Sequence, residues 1–415
     1  MNISTVTVGI DRRALTAVFS RLRTEAGQSN PLPVYRQLAK MGEIIPAPWG
    51  GYVVTSYALC DQILRDKGWR VPDANWRRNH SAQWSSPASQ QMAASLPMLN
   101  PPLHTRERRS LGGLFPHNSL AVLRPFVERA VDRLLTEFTE QLRYGPADFH
   151  TLVSEELPII TIGEWMGIPA ADYGLLRDLT HDQVFAQELF PTPSQLALSD
   201  SATRQLRAYF DELIRARRRN PGSDPISVWL RTWDELEPDR HRADEAVHAL
   251  ALFMILAALE TTSHVLSTSV RLLLQYPEQL ESLRRNPELV PDAVDEVLRY
   301  DAPIHMISRV ASTDTRLGDT VVPAGQMVQL MVGAAHHDPE RYPDPERFSP
   351  GRGASHLAFG AGIHYCAGNA LARLEAVTLL TSLLSRSIRP RLSGPARWAP
   401  RVAFRRISSL QLTLA

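Results

Sequence analysis

A chain of 415 residues with 45 Lys and Arg against 44 Asp and Glu carries a formal charge of +1, so no global field directs it to nucleic acid or to an anionic membrane. Its apolar fraction of 44% is that of an ordinary globular protein, and the length allows two domains or one large fold. Two cysteines, Cys60 and Cys366, are too few for a disulfide framework or for a four-thiolate iron–sulfur cluster.

In chain order, residues 1–30 form a weakly patterned leader without the basic segment and apolar run of a signal peptide. Gly51 to Thr55 alternates like a strand, and Cys60 sits in the apolar stretch Tyr57 to Leu64 as a buried thiol. Gly68 to Asn100 has neither helical nor strand period and reads as a long loop, a length that is uncommon without a function. From Pro101 to Gln275 the pattern is helical. Leu123, Phe126, Val127, Ala130, Val131, Leu134, Leu135 and Phe138 follow the i, i+3, i+4 rule, and further helices cover Leu152–Met166, Ala170–Leu189 and Ser201–Arg218. The longest, Ala243 to Tyr276, is apolar on most faces and is expected to be central and buried. Its most apolar run, Ala249 to Leu259, is shorter than the ~20 residues that cross a bilayer, so a soluble, cytoplasmic protein is expected. A helix over Pro291–Tyr300, strands near Ile307–Ala311 and Val321–Met331, and an irregular stretch Asp338–Ser355 follow. A helix from Ala367 to Ser385 and a terminal β-element in Val402–Leu414 complete a mainly α chain with minor β near both ends.

The segment Phe359 to Gly368, FGAGIHYCAG, carries the chemistry. It places Cys366 in a glycine-studded loop just ahead of a helix, where the dipole and unpaired amides favour a thiolate. Such a sulfur is a nucleophile or a metal ligand. Gly360 and Gly362 permit a close backbone approach to a flat ligand, Phe359 shields the sulfur, and the Gly368 amide is a donor toward it. These features favour a ligand, with haem iron as the metal.

This loop resembles the haem-binding signature of the cytochromes P-450 at Phe359, Gly360, Gly362, His364, Cys366 and Gly368. Further landmarks in the family's order extend the resemblance over nearly the whole chain, with 31–415 as a single haem domain. The family's fold is implied, with a long central helix over the haem. Glu296 and Arg299, at i, i+3 on one helix face, match the family's buried ion pair, with Arg347 implied as its third member; these are structural residues. Glu260 and Thr261, within Ala257-Ala258-Leu259-Glu260-Thr261-Thr262, match the acid–alcohol pair used in oxygen activation, with Ala258 where many relatives carry glycine. His104, Arg108, Arg309 and His364 match positions that anchor the two haem propionates, for which cationic donors are natural partners.

The resemblance implies haem b, Cys366 as its axial thiolate, and a bacterial soluble monooxygenase. Such an enzyme uses O2 to hydroxylate, epoxidise or oxidatively couple a small organic molecule of secondary metabolism. Electrons would come from NAD(P)H through a ferredoxin and its reductase, received beside Arg106, Arg109 and Arg373. A monomer is expected, with no nucleic-acid or membrane partner. The substrate pocket is expected from Trp84, Ala257, Ala258, His305, Met306 and Phe404. The polar and aromatic Gly68–Asn100 segment, with Asn75, Trp76, Asn79, Gln83, Met92 and Met98, leans toward a polar, aromatic or peptide-like product. A peroxide-dependent haem-thiolate peroxygenase and a non-catalytic haem sensor are the alternatives. A cysteine hydrolase lacks any base aimed at Cys366 other than His364.

Overall fold

Asp239 starts the helix that organises this protein. Its side chain accepts from the His241 and Arg242 amides, and the helix then runs unbroken over Arg240–Gln275 until Pro277 opens the next one. In the computed structural model, which describes residues 12–80, 82–111, 117–188 and 191–414, this core helix is 36 residues long, or about 54 Å. By length and composition it would suffice to cross a membrane, but 72% of its most apolar window is buried by the rest of the protein. The helices Glu156–Met166, Tyr173–Gln183, Pro193–Arg219, Pro225–Leu236, Val290–Tyr300 and Asn369–Ser385 all pack on it.

The core helix serves two hydrophobic clusters. Ala243 to Leu259 contributes to one, with the buried rings of Phe210, Trp229 and Trp233. Val265 to Leu273 contributes to the other, with Phe138, Phe149 and Phe348. The break between them falls on the buried polar run Glu260 to His264, interrupted only by half-buried Thr261.

The main sheet has five strands in the order Ile44–Pro46, Tyr52–Val54, Met327–Met331, Met306–Ala311 and Trp69–Arg70. A three-stranded sheet joins Ala147–Asp148, Gln411–Leu414 and Pro390–Leu392. The expected strand Val321–Met331 is two strands, Thr320–Val322 and Met327–Met331, divided by a turn at Pro323 to Gly325, where Gly325 has φ 78°. Asp338–Ser355 lacks regular structure, as expected.

Three sequence expectations are corrected. Residues 12–30 are no leader: Arg12–Arg21 and Glu25–Ser29 are helices, and Leu15, Val18, Phe19 and Leu22 are buried in a cluster with Val34, Tyr35 and Leu38. The buried Gln28 amide ties them to the C-terminal segment by donating to the Leu22 and Arg401 carbonyls. Residues 1–11 of the expected leader lie outside the described residues. Gly68–Asn100 is likewise no structureless loop. It contains the strand Trp69–Arg70, the helices Ala74–Arg78 and Pro87–Ala93, and two 3₁₀ turns. Asp73 and Ser86 cap these helices, and Pro87 fills a first-turn position. These segments are too short to show a period, and their caps are the signal that was available. The expected helix Ala170–Leu189 is Tyr173–Gln183 followed by a 3₁₀ turn, Val184–Gln187; Leu189 lies outside the described residues.

The Glu296–Arg299 pair is fully formed. Arg299 Nε and Nη2 donate to Glu296 at 2.7 and 2.8 Å, and Nη1 donates to the carbonyls of His336 at 2.7 Å and Pro345 at 2.9 Å. The third member of the group is Arg352, 3.4 Å from Glu296 Oε1, and not Arg347. The Arg347 side chain is exposed, and only its carbonyl takes part, accepting from Arg299 and Arg352. Replacing Arg299 by Leu takes the bidentate partner from a buried carboxylate and leaves it only the longer Arg352 contact and the Ser349 amide, so a loss of ~3 kcal/mol is expected in denaturant unfolding. Arg347→Ala should unfold like the unaltered protein.

Candidate active site

Backbone geometry builds the cysteine loop. Gly360 and Gly362 have φ of 68° and 67°. A Cβ on Gly362 would lie 2.3 Å from the Leu64 carbonyl oxygen, so the loop seats directly on the helix Tyr57–Arg65. The Cys366 amide donates to the Phe359 carbonyl at 2.9 Å, and Asn369 Nδ2 donates to the Cys366 carbonyl at 2.8 Å where the next helix begins. Phe359 lies beneath the Arg373 guanidinium, 4.5 Å from its ring centroid. Burial pushes the Cys366 thiol up; the Gly368 amide, Arg108, Arg373 and the Asn369 amide pull it back without overcoming that effect. Burial thus works against the thiolate that the helix start and these amides favour, and a bound cation would add to their side of the balance. Cys60 differs: it is fully buried, with Sγ 3.7 Å from the Val54 carbonyl oxygen and its thiol pushed up by burial.

Beside the loop is a cluster of donors that lacks an acid. The rings of His104 and His364 are 4.3 Å apart. Burial pushes His364 down to about 3, reinforced by Arg309, His104 and Arg108, and burial with Arg108 also lowers His104. Arg309 is 6% exposed, and burial alone pulls it down to about 10. Its guanidinium donates to the Ser308 carbonyl at 2.9 Å, and among the described residues no carboxylate pairs with it. Among the described residues, His364 Nδ1 is buried without a partner.

The core helix presents an open stripe to its surroundings. Between Val247 and Leu273 every residue is buried except Phe253, Ala257, Ala258 and Thr261, spaced i, i+4, i+5 and i+8 along one face. Thr261 Oγ1 donates back to the Ala257 carbonyl at 2.9 Å. Glu260, one residue earlier, points elsewhere. Its Oε2 accepts from Arg401 at 2.7 Å, its Oε1 lies 2.6 Å from His181 Nδ1, and Arg406 is 3.8 Å away. Burial opposes the charge, but Arg401, His181 and Arg406 together hold the Glu260 carboxyl down at about 2. Acid and alcohol are thus neighbours in sequence on different faces. Sequence reasoning missed Arg401, Arg406, His181 and Arg352. The only available signal was that a carboxylate in an apolar helix requires partners, and it does not say which.

The substrate-side expectations change most. His305 is buried with its ring nitrogens 2.8 and 3.0 Å from the Tyr35 hydroxyl, and Met306 packs with the N-terminal helices, so neither lines an open space. Half-buried Ile304 pairs instead with half-buried Phe404 across an isolated β-bridge. Glu188 holds the Phe404 segment by accepting from the Val402, Ala403 and Phe404 amides at 2.9, 3.2 and 3.1 Å. Trp84 is stacked by Arg77, 4.2 Å from its centroid. Trp76 donates to the Gly325 carbonyl at 2.8 Å and stacks on His80, Asn75 and Asn79 are exposed, and the Gln83 side chain lies outside the described residues. The polarity of this segment therefore serves its own folding and solvent.

A family model described as Cytochrome P450 matches residues 180–387. The cytochrome P450 monooxygenase PikC of Streptomyces venezuelae is 32% identical over 398 residues, covering 92% of this chain and 91% of that one. The biotin biosynthesis cytochrome P450 of Bacillus subtilis is 33% identical over 387 residues, covering 92% and 93%. This chain belongs to the cytochrome P450 family. A crystal structure of P450BioI, in complex with an acyl carrier protein ligated to hexadec-9Z-enoic acid, has the same fold, with a TM-score of 0.87, 29% identity and coverage of 94% of this chain and all of that one. The chain is accordingly an oxidoreductase with a P450 fold that binds haem b.

The residues of this P450 fit that group. A buried sulfur that a bound cation would favour as thiolate, two guanidiniums and two imidazole donors beside it, and a Gly368 at which a Cβ would meet nothing within 4 Å match a flat metal complex bearing two carboxylates. Replacing Arg309 by Met should weaken haem retention roughly 10- to 100-fold, the effect of one charge-assisted hydrogen bond. The haem-free protein should unfold at the same or higher denaturant concentration, because an unpaired buried cation has been removed. Haem transfer to apomyoglobin and apoprotein unfolding check the two halves.

Proposed function

We propose that Cys366 is the axial ligand of haem b and that the protein is a soluble monooxygenase. The observation that carries the reading is a buried sulfur beside four cationic or imidazole donors with no acid among them. When bound, haem supplies the iron at which dioxygen is reduced and split, chemistry that a thiolate ligand favours by donating electron density. The Gly368 and Asn369 amides temper that donation by hydrogen bonding to the sulfur. His104, Arg108, Arg309 and His364 hold the propionates and Phe359 shields the thiolate side.

On the other side, Thr261 lies on the open face of the core helix and holds a water there with the lone pairs that its bond to Ala257 leaves free. Glu260 delivers protons to that water. It must first turn from Arg401, because in the observed arrangement it faces away from the open stripe. The substrate packs against Phe253, Ala257, Ala258, Ile304 and Phe404, a largely apolar wall that suits a small, mostly apolar organic molecule better than a peptide-like one. A biosynthetic role is supported by relatives such as the biotin biosynthesis P450, and one in secondary metabolism by the Bacillus subtilis bacillaene polyketide synthase P450 PksS. Electrons come from NAD(P)H through a reductase and ferredoxin to a cytoplasmic monomer. The docking face is the outer side of the cysteine loop, where a cleft of about 670 Å³ is lined by Arg65, Asp295, Arg352, Tyr365 and Arg373. Exposed Arg109 is free to contribute, whereas Arg106 is engaged with Glu237 at 3.3 Å and with Trp233, and Arg373 with Asp295 at 2.9 Å.

Cys366→Ser should abolish the thiolate-type ferrous–CO band and turnover while leaving the helical circular dichroism unchanged. Glu260→Gln should slow ferredoxin-driven turnover by ~10²-fold, with hydrogen peroxide restoring product because it brings its own protons. Equal or faster turnover of the unaltered enzyme with peroxide alone would favour a peroxygenase, and a six-coordinate haem unreactive toward CO would favour a sensor.

A further inference from the structure

His181, at the end of the Tyr173–Gln183 helix, sits between two carboxylates. Nδ1 is 2.6 Å from Glu260 Oε1 and Nε2 is 3.1 Å from Glu155 Oε1. A neutral imidazole has one N–H and serves one carboxylate, whereas the imidazolium serves both. Arg406 Nη2 is also 3.0 Å from Nε2, so when the ring is neutral that nitrogen has a donor to accept from. The ring therefore has partners in both protonation states. Its side chain is 18% exposed, against 4% for Glu260, so solvent reaches the histidine where it does not reach the acid.

Every charged group around the ring can be named. Glu260 faces it from the core helix, and Arg401 and Arg406 from the C-terminal segment, Arg401 also donating to the His181 carbonyl at 3.3 Å. Glu155 faces it from the end of the π-helical turn His150–Ser154, where His150 lies 3.0 Å from Glu155 and 2.9 Å from Ser267 Oγ. The arginines do not release protons. Glu155 stays ionised: burial opposes this, but His150, His181 and Arg406 hold it well below the usual carboxylate range. Glu260 is ionised too and stores no proton at neutral pH. Burial disfavours a charge on His181, yet its hydrogen bonds to Glu155 and Glu260 outweigh that and raise its pKa.

We propose that His181 is the proton-loading residue for Glu260. The inference rests on the relay role of Glu260 proposed above and adds where its protons come from. The Nδ1–H bond breaks and an O–H bond forms at Glu260 Oε1. The neutral carboxyl no longer holds Arg401 as an ion pair and is free to turn toward the Thr261 face. The ring regains a proton from solvent, which reaches its partly exposed side chain. His181 acts through Glu260 and is a positioning and proton-supplying residue that does not touch the haem. Transfer to the Glu260 carboxylate is uphill and transient, drawn on by proton uptake from the Thr261 water; supply is greatest with the ring protonated and falls as pH rises through its raised pKa, so the alkaline limit lies above the ~6.5 of a free imidazole.

The test uses the haem-loaded enzyme with ferredoxin and reductase and reads product formed per NAD(P)H consumed from pH 6 to 9. His181→Gln, which keeps a hydrogen bond but cannot titrate, should lower that yield roughly ten-fold, below the ~10²-fold of a directly acting acid. It should also erase the alkaline limb of the profile, with peroxide-driven product unchanged. A yield and profile equal to the unaltered enzyme's, with Glu260→Gln impaired, would reduce His181 to a structural tie and overturn the proposal alone. Glu260→Gln equal to the unaltered enzyme would instead overturn the relay. Should His181→Gln fail to fold, nitrogen-15 titration of His181 in the unaltered ferrous–CO form decides: a ring protonated at pH 7 supports the proposal, and one neutral throughout overturns it.

Discussion

Glu260 is a charged side chain on a helix that has no solvent face to place it on. The core helix is buried on nearly every side, and a lone carboxylate there would cost far more than its packing returns. The fold answers by bringing in Arg401, Arg406 and His181 from segments distant in sequence. That requirement shapes much of the molecule. It draws the C-terminal segment against the centre of the core helix, with Glu188 and Gln28 fastening the same segment from other directions. It also orients the Tyr173–Gln183 helix, whose last turn supplies the histidine.

The two charge-bearing regions are arranged in opposite ways. Around Glu260 every carboxylate is paired with a cation or imidazole. Around Cys366, among the described residues, Arg309 is buried without an acid, and the His104 and His364 rings share their space with two guanidiniums. Low dielectric strengthens paired charges and penalises unpaired ones. One region therefore pairs its charges internally, and the other suits the proposed anionic, metal-bearing ligand.

The scaffold under the cysteine loop follows the same logic. Arg299 satisfies Glu296 with two nitrogens and gives its third to the carbonyls of His336 and Pro345. Irregular backbone that would otherwise bury unpaired carbonyls is thereby pinned beneath the loop. This explains how a segment as rich in Pro and Gly as Asp338–Ser355 positions its neighbour.

Much of this was legible in the chain. The buried core helix shows in the run of apolar residues on all faces, and the chemistry shows in FGAGIHYCAG, because loop geometry and ligand are encoded within ten consecutive residues. Elements too short to have a period, such as Ala74–Arg78 and Pro87–Ala93, were hidden, since only their caps mark them. Partners across space were hidden as well. Which arginine completes the Glu296 pair, which histidine meets Glu260, and whether Ile304 or His305 faces the pocket depend on rotation about helix axes and on strand parity. A one-residue step reverses the side of a strand. Local sequence thus determined the haem-thiolate family and its loop. Only the tertiary structure decided which side chains stand together, because burial makes unpaired charges too costly to leave and the fold alone chooses their partners.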